Sequence, residues 1–303
     1  MRFKGLDLNL LCALDILLEE LSVSRAAERM HVSQPAMSAA LGRLRAYFDD
    51  PLLVVDGKRM IPTPHALRLR KRVRLLLGDV EALISVSSDF DPRTSNRTFR
   101  IGASDYITAV IFCDLLQEFS ASAPGIMFEF FAPSDDTSQM LAQGEIDLLT
   151  GPDGLLLHDH PSELFFEERH VVAGWSGNPV FGQEMSEADF SQAAHIAVQI
   201  GSGLRLSFAE SELRKQGIER KIAVTASSFS VVPDLLIHTD RLAVMHERMA
   251  AYAAIHRPIA YAPMPFEFPP MREIIQYHRA RSDDVGLRWL ISALVTLAKR
   301  NQP

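Results

Sequence analysis

At 303 residues the chain is too long for one ordinary domain, and about two are expected. Apolar residues make up 47% and charged residues 23%, which excludes a disordered chain. No stretch nears the ~20 uncharged apolar residues of a membrane span. Asp7 and Asp15 interrupt any signal-peptide core, and two cysteines, Cys12 and Cys113, are too few for a disulfide framework or zinc cluster. A cytoplasmic protein with no metal and no membrane partner is expected.

Charge is unevenly placed. Residues 25–76 hold eleven Lys/Arg against four Asp/Glu, a net of +7, whereas residues 90–303 hold 18 against 27, a net of −9. A basic amino-terminal module on an acidic body suggests a polyanion partner for one end only. A lopsided solvated surface would look the same by charge alone.

Leucines at 10, 11, 14, 17, 18 and 21 predict a first helix with one apolar face. Ser24–Met30 reads as a short second helix whose Ala26 and Ala27 permit close approach. Ser33 is placed to cap a third helix opening at Gln34-Pro35, with Met37, Leu41, Leu44 and Phe48 inward. Ser33, Gln34, Pro35, Ser38, Ala39, Gly42, Arg43 and Arg45 fall on or beside its outer face, the pattern of a helix-turn-helix. An ordinary helical hairpin would share that pattern. However, Leu52–Val55, Asp56-Gly57 and Lys58–Ile61 read as strand, turn and strand. This is a wing, with Lys58 and Arg59 over a phosphate backbone, so residues 1–63 form a winged helix-turn-helix.

Pro64 opens a linker helix over 64–89, with apolar residues at Ala66, Leu69, Val73, Leu76, Val80 and Leu83. The 3-4 spacing is that of a coiled-coil seam, so Leu69, Val73, Leu76, Val80 and Leu83 are candidates for dimerisation through a second copy. The same seam could instead pack on the chain's own body.

From Thr98 onward, strands alternate with helices. Such alternation predicts α/β units with mainly parallel sheets, and nine candidate strands predict two lobes. One of those strands is expected to run unbroken from Leu164 to Gly174.

Leu8-Asn9-Leu10-Leu11, Ser24–Met30, Ser33–Ser38 with Arg43-Leu44-Arg45, and Pro62-Thr63-Pro64 together resemble the LysR-type transcriptional regulators. Met1–Leu11, Leu44–Phe48, Phe90-Asp91-Pro92, Phe99–Ile101 and Ser134–Asp136 are most similar to the branch of that family that regulates rhizobial nodulation. The resemblance implies a periplasmic-binding-protein-like effector domain of two lobes joined by two crossover strands. Residues 90–165 and 266–303 would form the first lobe and 166–265 the second. It further implies an activator that binds promoter DNA, works with RNA polymerase, assembles as a homodimer or homotetramer, and answers a small-molecule inducer.

Enzyme signatures are incomplete. Gly201-Ser202-Gly203 begins a dinucleotide fingerprint without its third glycine, and His246-Glu247 opens a zincin motif with Ala250 at the second histidine. His158-Asp159-His160 reads as a polar loop, and no Gly-x-Ser-x-Gly or Walker loop occurs. No catalytic residue, metal or cofactor is assigned. An enzyme or solute-binding protein with an accessory helix-turn-helix is the alternative.

In two-lobed α/β bodies, ligands sit in the cleft at the carboxyl ends of strands. Ser104, Asp105, Tyr106, Gly151, Pro152, Gln199, Ile200, Gly201, Ser202, Phe229, Ser230 and Met245-His246 lie at or just past such ends, and His170 lies on the strand entering the second lobe. Their mixture of aromatic, apolar and few polar groups suits a flat aromatic inducer such as a flavonoid, substituted phenol or aromatic carboxylate.

Overall fold

The computed structural model describes residues 6–57, 59–85, 90–134, 136–154, 156, 159–200 and 205–300. They fall into two units, the first holding the described residues up to 85 together with 143–145 and the second the rest.

In the first unit, three helices each begin on a side-chain cap. They are α1 (Leu8–Glu20), α2 (Val23–Arg29) and α3 (Gln34–Phe48), and Asp7, Ser22 and Ser33 accept the amides of Leu10, Arg25 and Ala36. Each cap satisfies a backbone donor that the helix cannot. Leu10, Leu14, Leu17, Ala26, Ala27, Met37, Leu41 and Leu44 bury together as one core. Strands β1 (Leu53–Asp56) and β2 (Arg59–Pro62) pair antiparallel, with Asp56 opposite Arg59. Gly57, at φ +60, supplies the left-handed turn between them.

Helix α4 (Pro64–Ser85) starts where the Thr63 hydroxyl accepts the amide of Ala66 and donates to Asp50 at 2.7 Å. Its seam differs from the sequence reading. Val73 is 5% exposed and belongs, with Ala66, to the core of the same chain, while Leu69 and Leu77 pack against that core. Arg74 reinforces this docking by pairing with Asp15 at 2.8 Å and Glu19 at 3.1 Å. The 3-4 spacing records an apolar stripe but not which surface covers it, and α1 covers its first half. Leu76 stays 45% exposed and Val80 half-buried, and the Leu83 side chain lies outside the described residues.

The second unit opens with β3 (Thr98–Gly102) and α5 (Asp105–Ile107), which passes through a π-helical turn, Thr108–Phe112, into α6 (Cys113–Ser122). Then come β4 (Met127–Phe131), α7 (Thr137–Ala142), β5 (Leu148–Pro152) and β6 (Ser162–Glu168). The second lobe contains β7 (His170–Trp175), α8 (Glu187–Gln192), β8 (Ala194–Ile200), β9 (Arg205–Leu206) and α9 (Phe208–Lys215). It continues with β10 (Lys221–Ala226), α10 (Val232–Leu236), β11 (Leu242–His246), α11 (Glu247–His256) and β12 (Ile259–Pro263). Strand β13 (Met271–Tyr277) and helix α12 (Val285–Arg300) return to the first lobe.

One sheet has the order β4-β3-β5-β13-β6 and the other β10-β8-β11-β7-β12, with β9 added beside β8. The segment expected as one strand from Leu164 to Gly174 is two strands, parted at Arg169 and belonging to different sheets. The passage between lobes therefore falls at Arg169, a few residues past the expected 165, and the return lies between Pro263 and Met271. In the β6–β13 ladder, Glu273 faces Phe166 but Ile274 faces Leu164, so Phe165 has no partner opposite it. This bulge buries two consecutive phenylalanines, Phe165 and Phe166.

Candidate functional site

The outer face of α3 is built as a reading surface. Its apolar positions Met37, Leu41 and Leu44 are buried, which turns Gln34, Pro35, Ser38, Ala39, Gly42 and Arg43 to the exposed side, next to the exposed cap Ser33. Arg43 reaches Asp7 only at 3.4 Å between two exposed groups, a pair readily given up. Arg45 is a correction. Its guanidinium donates to the carbonyls of Pro51 and Leu53, both at 2.8 Å, and so ties the end of α3 to the wing. Arg59 is exposed at the start of β2, while Lys58 lies outside the described residues.

A Cβ built on Gly42 meets nothing within 4 Å. Glycine inside a helix costs about 1 kcal/mol relative to alanine. Packing within the protein does not require this one.

In the second unit a cavity of about 340 Å³ lies between the two sheets. Ser104 caps α5 at the end of β3, Gly151 and Pro152 end β5, Ile200 ends β8, and Phe229 precedes α10; with Tyr106, these expected residues line it. Its remaining wall comes from Pro133, Ser134, Thr137 and Ser138 around the start of α7, from Leu149, Thr150 and Leu156, and from Leu206, Phe208 and His246. Met271 and Glu273 of β13 complete it. Among the described lining side chains there is no Lys or Arg. The Thr150 hydroxyl is buried without a hydrogen-bond partner.

Several expected residues are placed elsewhere. Asp105 holds the lobes together instead of lining the cavity: its carboxylate accepts the Ser228 hydroxyl and the Ser230 amide, both at 2.7 Å. Burial opposes its charge, but those hydrogen bonds outweigh it and hold its pKa below the usual carboxylate value. Ser230 is thereby engaged as well. Met245 is 4% exposed within the core, and strand alternation turns the next residue, His246, to the cavity. The same alternation brings Ile200 to the wall and leaves Gln199 out of it. His170 lies behind the wall, stacked on Phe208 and edge-on to Phe268, each at 5.4 Å. Gly201 and Ser202 lie outside the described residues.

Behind the cavity, a buried polar network crosses from lobe to lobe. The Tyr106 hydroxyl donates to Glu168 at 2.6 Å, and Glu168 also accepts the Arg248 amide at 3.1 Å and pairs with its guanidinium at 3.0 Å. Arg248 in turn lies 4.5 Å over the Phe166 ring. Burial raises the Glu168 pKa, and its Tyr106 and Arg248 contacts offset that. Glu273 is also buried, and no described residue donates to its carboxyl. Burial, followed by the charge of Glu168, pushes its pKa well above the ordinary range. Burial holds His170 at about 3, and burial with the neighbouring His170 holds His246 well below its ordinary value, so both rings are neutral.

Of the wall residues that sequence reading did not name, Glu273 is the one it had most chance of finding. A Glu within the apolar run Met271–Tyr277 is a visible anomaly. That β13 inserts between β5 and β6 is a long-range pairing with no local signature.

A winged helix-turn-helix followed by a two-lobed α/β domain with an interlobe cavity defines a DNA-binding transcription regulator. Residues 8–67 match the bacterial regulatory helix-turn-helix proteins of the lysR family, and residues 92–299 match the LysR substrate binding domain. Nodulation protein D 1 of Rhizobium tropici is 37% identical over 300 residues, covering 99% of this chain and 97% of that protein. Nodulation protein D 2 of Rhizobium meliloti (strain 1021) is 36% identical, covering 100% and 97%. A probable transcriptional regulator of Pseudomonas aeruginosa superposes with a TM-score of 0.76 at 29% identity, over 96% of this chain and 97% of that one. Full-length CbnR in complex with its target DNA shares the fold with a TM-score of 0.59 at 17% identity, over 98% and 100%.

The chain belongs to the LysR family of transcriptional regulators. The relatives are regulators, which are not enzymes. No helix among the described residues is long and apolar enough to cross a membrane.

Proposed function

We propose that the protein is a transcriptional activator whose promoter binding responds to a small aromatic inducer held between the two lobes. The observation that carries this reading is the interlobe cavity of about 340 Å³, walled by Tyr106, Phe208, Phe229, Leu149 and Met271 with few polar groups. Its apolar walls suit a flat ring system, and its hydroxyls suit oxygen substituents. A flavonoid, a substituted phenol or an aromatic carboxylate fits that description. The likeness to proteins named for nodulation supports a regulator of inducible genes.

Gln34, Ser38 and Arg43, with Pro35, Ala39 and Gly42, read the major groove, and Arg59 holds a backbone phosphate from the wing. Exposed Leu76 and the later turns of α4 join two copies, and pairs of dimers make the tetramer that meets RNA polymerase in the cytoplasm. No cofactor enters this scheme. The inducer acts by binding two lobe arrangements unequally, which shifts their populations.

Calorimetry of the full-length protein against flavonoids, chlorophenols and salicylates tests the reading. Binding by at least one class, lost when Ser138→Trp fills the cavity, supports it. Failure of every aromatic to bind overturns it.

A further inference from the structure

Among the described lining residues one carries a carboxyl group, and its surroundings decide what the ligand must be. Glu168 and Glu273 lie in neighbouring strands of one buried region, and their hydrogen-bond donors are divided unequally. Glu168 receives the Tyr106 hydroxyl and the Arg248 amide and is ion-paired with the Arg248 guanidinium. Glu273, 3% exposed, receives none from the described residues and lines the cavity.

Two buried carboxyls with one cation cannot both be ionised cheaply, so the one without donors keeps its proton. A protonated carboxyl is a hydrogen-bond donor. An anionic ligand, by contrast, would lose its water and find no Lys or Arg among the described lining side chains.

We propose that Glu273 donates a hydrogen bond into the cavity, and that the site selects an uncharged aromatic ligand with an acceptor oxygen over an aromatic carboxylate. This rests on the interlobe cavity being the inducer site. It narrows the three inducer classes to phenols, flavonoids and related neutral ring compounds.

Methyl salicylate and salicylate share one ring and differ in charge, so calorimetry with both at neutral pH on the unmodified full-length protein is a direct test. The ester should bind at least about tenfold more tightly than the anion. Glu273→Gln, which keeps a donor of the same shape, should retain ester binding. Glu273→Leu, which removes the donor, should weaken ester binding by about tenfold.

Tighter binding of salicylate than of its ester overturns the inference, and does so without any variant having to fold. If salicylate is the tighter ligand and Ser138→Trp abolishes its binding, the cavity remains the inducer site and only the selection for neutral ligands falls. If Ser138→Trp leaves ester binding unchanged, the ligand sits elsewhere and both fall. No ester binding, with a flavonoid still excluded by Ser138→Trp, overturns the role of Glu273 alone.

Discussion

The rings of Tyr106 and His246 are stacked with centroids 3.8 Å apart and planes within 3° of parallel, and each comes from a different lobe. Tyr106 follows the first strand of one sheet, and His246 ends a central strand of the other. The stack forms part of the cavity wall, and the Tyr106 hydroxyl continues past it to Glu168 at 2.6 Å. Any change in lobe angle must slide or part these rings.

Tyr106→Phe keeps the stack and removes only the hydroxyl. Glu168 retains its contacts with Arg248 but loses a buried donor, so stability should fall by about 1–3 kcal/mol. Denaturant unfolding of the variant and the parent protein measures this. A difference below a few tenths would mean that the hydroxyl is not holding Glu168.

Acid should loosen the second unit through its neutral histidines. His170 sits at about 3 in the folded protein against 6.5 when free, and His246 is also held low by burial. Both folded values lie below the unfolded ones. Their contribution is therefore complete above pH 6.5 and is lost as pH falls from there toward the folded values. The loss is about 1.4 kcal/mol per pH unit for each such histidine. His170→Phe, between Phe208 and Phe268, should flatten the decline between neutral pH and pH ~5. An equally steep decline in the variant would assign it to other groups.

Gly42→Ala separates folding from binding. The added methyl meets no atom of the protein, so stability should rise by about 1 kcal/mol. If DNA approaches this face closely, affinity should drop on cognate and random duplex alike. Thermal melts and gel-shift titrations read the two effects separately, and unchanged affinity would show that the groove floor stays clear of Gly42.

Gln34→Ala should behave differently from Gly42→Ala. Glutamine pairs bidentately with adenine, worth about 1–3 kcal/mol of discrimination, so cognate binding should weaken while binding to random sequence persists. Arg59→Ala should instead weaken both and reduce the salt slope by roughly 0.9. Equal loss on both duplexes for Gln34→Ala would remove it from base reading.

The helix seam offers a paired test. Val73→Glu buries a charge within the chain's own core and should prevent stable folding of the first unit. Leu76→Glu places the charge at a position 45% exposed, so the fold should survive while the dimer dissociates. Sedimentation of the Leu76 variant decides: a folded dimer would move the interface to another surface.

Much of this architecture is legible in the sequence, because its signals are local. Caps, turn residues and apolar spacing marked α3 and the wing, where Ser33, Gly57 and Thr63 act within three residues of themselves. Strand ends identified about a third of the cavity wall, since β-strand termini can be counted along the chain. Residues whose partners lie outside their own helix or strand were placed differently. Arg45 looked like a base reader because its partners, the carbonyls of Pro51 and Leu53, lie past the end of its helix. Val73 looked like a dimer contact because α1, far earlier in the chain, is what covers it. Asp105 looked like a ligand contact until Ser228, 123 positions later, was found to occupy it.

The unpaired Phe165 has a consequence for chain counting. In a regular strand the inward face would hold residues of one parity throughout, and Leu164 and Phe165 already show which parity begins β6. The extra residue reverses parity midway, which is why Phe166 and Glu168, not Glu167, meet Arg248. A β6 of the same length without the bulge, its pairing at Leu164 kept, would turn Glu167 and Arg169 to the interior, whereas deleting Phe165 would leave Phe166 and Glu168 facing inward. The interlobe ion pair is thus encoded by an odd residue as much as by its own carboxylate and guanidinium, and a change that straightened the bulge without shortening the strand would abolish it.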